Sequence, residues 1–160
     1  MSDEPATFDT WYAAEHPRMI TSMLALCGNR ADAAEVTDEA FARALSHWDR
    51  VSVMASPTGW VFRVASNQAR RRWRRRSLER RLLPRLATRE VVDGPSGEAW
   101  LLVRDLPIRQ RTAVVLRHVG HLTEAEIGEV MSIGRSTVSS TLRAAYASLG
   151  QAIGIEGAEP

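Results

Sequence analysis

Between Asn67 and Arg81 the chain reads NQARRRWRRRSLERR: eight arginines in fifteen residues, with Trp73 among them and one acid, Glu79. Burying unpaired cations costs more than apolar burial returns, so this stretch must face solvent or a polyanion. The charge is concentrated rather than general. The whole chain carries a formal net charge of only +2, yet residues 63–89 hold eleven arginines and one acid. Residues 1–50 are the opposite, with nine acids against four arginines. Two segments of opposite sign predict two different partners, the basic one a nucleic acid. All 21 basic residues are Arg, whose planar forked donors suit phosphates and base edges.

The acids have a pattern of their own. Asp32, Glu35, Asp38 and Glu39 are spaced by three and four, which predicts an acidic helix face opposite an apolar stripe of Ala33, Val36, Ala40, Phe41, Ala44 and Leu45. A third pattern lies near the C-terminal end, in LTEAEIGEVMSIGRSTVSSTLRAAYASL. Thr123 followed by Glu126 is a capping-box pair, and Ser132-Ile133-Gly134 breaks the helix it starts. Val138, Leu142, Ala145 and Leu149 then line a longer helix. Short helix, tight turn and longer helix make a helix-turn-helix pattern, with Arg135, Ser136, Ser139, Ser140 and Arg143 expected to point toward a major groove. An αα-hairpin packed on the rest of a bundle is the plainer reading of the same pattern.

Other chemistry is poorly served. His118, His121 and Glu124 resemble half a metal site, but two or three ligands at a helix end beside Gly120 are more often turn residues. Cys27, the single cysteine, excludes an internal disulfide and reads as a small core residue. Neither a phosphate-cradling glycine loop nor a nucleophile elbow occurs. No catalytic residue, no metal and no cofactor is expected.

The elements that would position these groups are all helical. A first helix holds Phe8, Tyr12, Met19, Met23 and Leu26 and stops near Gly28; a second runs roughly from Ala31 to Trp48. Asp49 to Ala55 is expected as a loop. Ser56-Pro57 then gives an N-cap and a first helical residue for a helix that carries Trp60, Val61, Val64 and Ala65 inward and continues through the arginines. Pro84, Gly94, Pro95 and Gly97 mark a linker, after which helices resume at Glu98–Asp105 and from Pro107. The tail GQAIGIEGAEP is expected to fray. The result is an all-α chain of two small helical domains, 1–83 and 98–152, joined by a flexible linker over 84–97 and followed by a tail at 153–160.

With these residues in view, LPIRQRTAVVLRHVGHLTEAEIGEVMSIGRSTVSSTLRAAYASL resembles region 4 of bacterial sigma factors. The stretch DAAEVTDEAFARALSHWDRV, with SPTGWVFRVASNQARRRWRR after it, resembles region 2 of the extracytoplasmic-function (ECF) group of the sigma-70 family. The resemblance covers nearly the whole chain. It implies a factor that directs core RNA polymerase to a subset of promoters and promotes DNA opening at the −10 element. It also implies roles for residues. Asp32, Glu35, Asp38, Glu39 and Arg43 would dock on the β′ clamp helices of the polymerase. The 49–56 loop would take a flipped base, while Trp60, Arg63, Asn67, Arg70, Arg71 and Arg74 would hold the −10 strand. Arg135, Ser136, Thr137, Ser139, Ser140 and Arg143 would read the −35 duplex, and region 4 would contact the β flap. An anti-sigma factor is a further partner common in that group.

The chain departs from the group's pattern at several points. Ser139, Thr141 and Ala144 stand where the recognition helix usually has Lys or Arg. Asp38 and Glu35 replace a Gln and an Asp, and Arg71 replaces a carboxylate common in the basic helix. A stand-alone helix-turn-helix regulator and a sigma-mimicking interaction protein are the alternatives to a sigma factor. The opening MSDEPATFDT is acidic and polar, unlike a secretory signal, and no apolar run approaches a membrane span. A cytoplasmic protein, nucleoid-associated when on polymerase and without membrane insertion, is therefore expected.

Overall fold

The computed structural model describes residues 7–82 and 97–153, and every regular element among them is a helix. Helix α1 is Phe8–Cys27, begun by the Thr7 side chain accepting from Thr10 N–H and closed by Gly28 at φ 75°. Asn29 caps α2, Arg30–Ser46, by accepting from the Asp32 N–H at 2.8 Å. Its side-chain amide donates back to the Asp32 carboxylate at 2.9 Å. His47 closes the other end, its N–H returning to Ala44 O, so the second helix stops before Trp48, and Leu45, expected in the apolar stripe, is left exposed in this last turn. Trp48–Val51 forms a helical turn of its own, α3, so the expected loop from Asp49 shrinks to the residues after Val51.

Helix α4 spans Pro57–Leu82, 26 residues. It starts where expected because Ser56 Oγ accepts from Gly59 N–H at 3.0 Å and proline needs no N–H partner at the first helical position. The linker expected over 84–97 lies outside the described residues except for Gly97. Helices α5 (Glu98–Asp105), α6 (Ile108–His118), α7 (Glu124–Met131) and α8 (Arg135–Ile153) follow. The tail expected to fray from Gly150 continues α8 as far as Ile153, and 154–160 lie outside the described residues.

The helix-turn-helix forms as its sequence signals dictate. Both halves of the Thr123–Glu126 capping box are made. At the other end Ser132 takes the left-handed conformation, φ 56°, and Ile133 N–H returns to Gly128 O at 2.9 Å. A Cβ on Gly128 would stand 2.8 Å from the Ile133 carbonyl oxygen, so the turn can fold this tightly only over glycine.

One apolar core runs through both ends of the chain. Met19, Met23, Val36, Phe41 and Phe62 belong to the same buried cluster as Leu116, Leu122, Ile127, Val130 and Val138. An aromatic group of Phe8, Trp11, Tyr12, Phe41 and Trp48 seals the outer end of α1, with ring centroids 4.8–5.8 Å apart. Helix α4 is the common member: it packs on α1 and α2 on one side and on α7 on another. The face that α4 offers to nucleic acid is set by these two contacts.

Candidate nucleic-acid interface

Pairing within the fold divides the arginines of α4. Arg76 forks onto the Asp32 carboxylate, with Nη1 2.8 Å from Oδ2 and Nη2 3.0 Å from Oδ1. Arg72 makes a bidentate pair with Glu35 and lies 3.5 Å from Asp32. This pairing draws the Glu35 carboxyl below its usual range and holds the Arg72 guanidinium charged. Arg70 turns the other way and donates to Asn67 Oδ1 at 2.7 Å and to the backbone oxygen of Val130 in α7 at 3.2 Å. Partial burial and the neighbouring Arg74 lower the Arg70 pKa.

Arg63, Arg71 and Arg74 are exposed along α4, and so is Asn67. Trp60 is half-buried against the core, so only part of its ring is available for stacking. Sequence reasoning singled out the loop before α4 but not its residues. Val53 is 82% exposed and Met54 38%, two apolar side chains with no core role at the entrance to the arginine track. Apolar residues in a loop between a completed helix and an N-cap were the available signal.

The acidic face is also divided. Asp32 was expected on the solvent side of α2, but it is only 7% exposed, held by Asn29 and Arg76. Its position in the first turn places it toward α4, and an amphipathic stripe alone does not show that a second helix will cover that edge. Asp38 and Glu39 remain exposed, and Glu39 pairs with Arg43 one turn on at 2.7 Å.

On α8, Arg135, Ser136, Thr137, Ser140 and Arg143 are exposed. Ser139 departs from the outward placement. Its hydroxyl donates to Glu124 Oε2 at 2.6 Å, and Arg135 lies 3.6 Å from the same carboxylate. The hydrogen bond from Ser139, aided by Arg135, draws the Glu124 carboxyl below its usual range. Glu124 thus ties the two helices of the motif together. His118 pairs with the Tyr146 hydroxyl at 2.8 Å, so His118 and Glu124 are each engaged with other groups. Among the described residues, no three His, Cys, Asp or Glu side chains come together as a metal site would need, and no helix is long and apolar enough to cross a membrane.

An arginine-lined helix, an exposed acidic edge and a helix-turn-helix on one all-helical frame define a DNA-engaging regulatory protein. The chain matches the Sigma-70 region 2 family over residues 11–79 and the Sigma-70 region 4 family over residues 96–149. It is 26% identical over 151 residues to the RNA polymerase sigma-E factor of Streptomyces coelicolor, covering 91% of this chain and 85% of that one. It is also 26% identical over 136 residues to the ECF RNA polymerase sigma factor SigW of Bacillus subtilis, covering 73% of each. Among solved structures, it resembles the sigma factor RpoE in complex with the anti-sigma factor NepR from Bartonella quintana. That likeness has a TM-score of 0.79 at 15% identity and covers 94% of this chain and 98% of that one. CnrH in complex with the cytosolic domain of CnrY is similar at a TM-score of 0.63 and 19% identity, over 94% and 89% of the two chains. The chain belongs to the sigma-70 family, in its ECF group, and is an RNA polymerase sigma factor.

Proposed function

We propose that this sigma factor directs core RNA polymerase to a subset of promoters through three surfaces, with 1–83 carrying two of them and 98–152 the third. Asp38, Glu39 and Arg43 dock on the β′ clamp helices, with Asp32 and Glu35 contributing mainly by fixing α2 against α4. The loop before α4, with Trp60, Arg63, Asn67, Arg71 and Arg74, takes the separated −10 strand. Arg135, Ser136, Thr137, Ser140 and Arg143 face the −35 duplex, and the same half meets the β flap.

The observation that carries this reading is the sorting of charge on α4. Arg72 and Arg76 are committed to α2, while Arg63, Arg71 and Arg74 stand exposed along α4, which follows directly on the loop that presents Val53 and Met54. A basic track next to exposed apolar side chains suits a single strand whose bases are unstacked. A stand-alone regulator of duplex operators has no use for that combination. The chain supplies recognition and strand capture, and the catalysis belongs to the polymerase, so the protein acts in the cytoplasm. An anti-sigma factor is a further proposed partner, since a similar sigma factor was solved bound to one.

Reconstitution tests the proposal. Core polymerase with this chain is expected to initiate at a restricted set of promoters and to co-purify with it. Failure of the purified chain to bind core polymerase, with no inhibitor present, would sink the reading.

A further inference from the structure

A cavity of about 40 Å³ lies where α4 meets α1, α6 and α7. Ala69, Val130 and Met131 are its buried apolar lining, with Leu26 of α1 beside them. Trp73, 51% exposed, and Ile108 stand at its edge, two large apolar side chains that the core leaves to solvent. A water needs roughly 10–15 Å³ on this scale. The enclosed space therefore takes a short alkyl group, and the rest of a ligand must lie along Trp73.

Two polar groups of the lining are unmet. Ser66 is 3% exposed and its hydroxyl has no hydrogen-bond partner, which leaves a donor unused on this wall. Arg70 is partly buried and gives its donors to neutral oxygens, Asn67 Oδ1 and Val130 O. No carboxylate pairs with it among the described residues, although Arg72, Arg75 and Arg76 on the same helix each have one. Burial, and then Arg74 one turn on, lower the Arg70 pKa, as befits a cation without a counter-charge. The site is apolar in body and cationic at one side. A neutral ligand would leave the charge unmet, an amine would add to it, and inorganic phosphate would fill none of the apolar space.

We propose that this cavity binds a small apolar carboxylic acid, its alkyl or aryl body against Met131, Ile108 and Trp73 and its carboxylate on the Arg70 guanidinium. Apolar walls with one fixed polar anchor are the usual make-up of a small-molecule site between helices. A planar guanidinium supplies a charge-assisted hydrogen bond to a carboxylate better than any other side chain. A bound acid touches α1, α4, α6 and α7 together, so occupancy and the packing of these four helices are linked. Arg70 belongs to none of the promoter surfaces assigned above, so the site stands or falls without them.

Hexanoate is the probe, with hexan-1-ol and hexylamine as its neutral and cationic counterparts, each titrated calorimetrically into the full chain. Hexanoate should saturate one site and bind about tenfold more tightly than hexanol, the factor set by a hydrogen bond to a charged group. At a large excess over its dissociation constant it should raise the thermal midpoint by about 3 °C. Hexylamine should not bind. Arg70→Gln should bring hexanoate down to the level of hexanol and leave hexanol binding as it was, which shows the cavity intact. Arg70→Lys keeps the charge and should keep most of the hexanoate affinity.

Hexanoate that binds Arg70→Gln as well as wild type, that binds no better than hexanol, or that fails to bind up to about 10 mM overturns the site. An oligothymidylate whose affinity falls with Arg70→Gln, in a chain that takes no hexanoate, makes this arginine a strand contact instead.

Discussion

The guanidinium of Arg72 closes on the carboxylate of Glu35 across the interface of α2 and α4, with Nη1 2.7 Å from Oε2. A residue of the arginine run and a residue of the acidic face thereby satisfy one another inside the molecule. The two charged segments are partly each other's partner, and only the remainder is offered outward. Replacing Glu35 with Gln is expected to change core polymerase affinity far less than replacing Asp38 with Lys. Equal losses would mean that Glu35 docks directly.

Asp38 and Glu39 carry the docking role under this division. Substituting both with Lys should abolish binding to core polymerase and leave the DNA affinity of the free chain nearly unchanged. Stability should also hold, because exposed acids distant from any buried partner contribute within about 0.5 kcal/mol. A large drop in the unfolding midpoint would instead make them structural.

Asp32 should behave in the opposite way. It is the buried acceptor of the Arg76 fork and of the Asn29 amide. Asp32→Ala is expected to cost about 1–3 kcal/mol of stability, because it strands charged donors in a partly closed interface. Denaturant unfolding measures it, and an unchanged midpoint would remove the structural role given to this acid.

The Glu126 carboxylate, which accepts from Ser56 and caps α7, has a pH signature. Burial alone would raise the Glu126 pKa, but the hydrogen bonds from Ser56 and Thr123 outweigh it and leave it below the ordinary 4.5. With the folded value depressed, the unfolded chain takes up the proton first. The contribution is therefore complete above about pH 4.5 and is lost as pH falls through the folded value. Thermal unfolding of wild type should show this loss on the acid side, and Glu126→Gln should flatten it.

Arg135 and Arg143 separate two kinds of −35 contact. If they read bases, each Ala substitution should cost about 1–3 kcal/mol at the preferred sequence and relax specificity there. If they touch phosphates, binding should weaken uniformly and the salt dependence should fall. Binding-site selection with the holoenzyme distinguishes the two.

Cys27 is expected to be silent. Burial, with Asp32 adding to it, pushes its thiol up to about 12. At pH 8 only about one molecule in ten thousand carries a thiolate, so reaction with a thiol reagent should await unfolding. Rapid labelling of the native chain would contradict the packing around α1.

Much of the fold was legible because its signals are local. The Ser56-Pro57 start, the Thr123–Glu126 capping box, the stop at Gly28 and the apolar spacing of α8 each act within a few residues. The basic run and the acidic helix were legible as charge, which follows from composition. Trp48 was less so: nothing local shows that Phe8 and Trp11 wait to receive its ring and pull it into a separate turn.

Sequence by itself determined that the chain is helical, that it ends in a helix-turn-helix, and that eight arginines gather between Asn67 and Arg81. It left open which of those arginines are free. Only the tertiary structure decided that Arg72 and Arg76 serve α2, that Arg70 serves α7, and that Arg71 and Arg74, with Arg63 ahead of the run, face outward. It alone placed Ser56 against Glu126, seventy residues away in the chain. The reason is physical. A helix and its caps are fixed by neighbours three or four residues apart, whereas a charge finds its partner among whatever surfaces packing brings within about 4 Å.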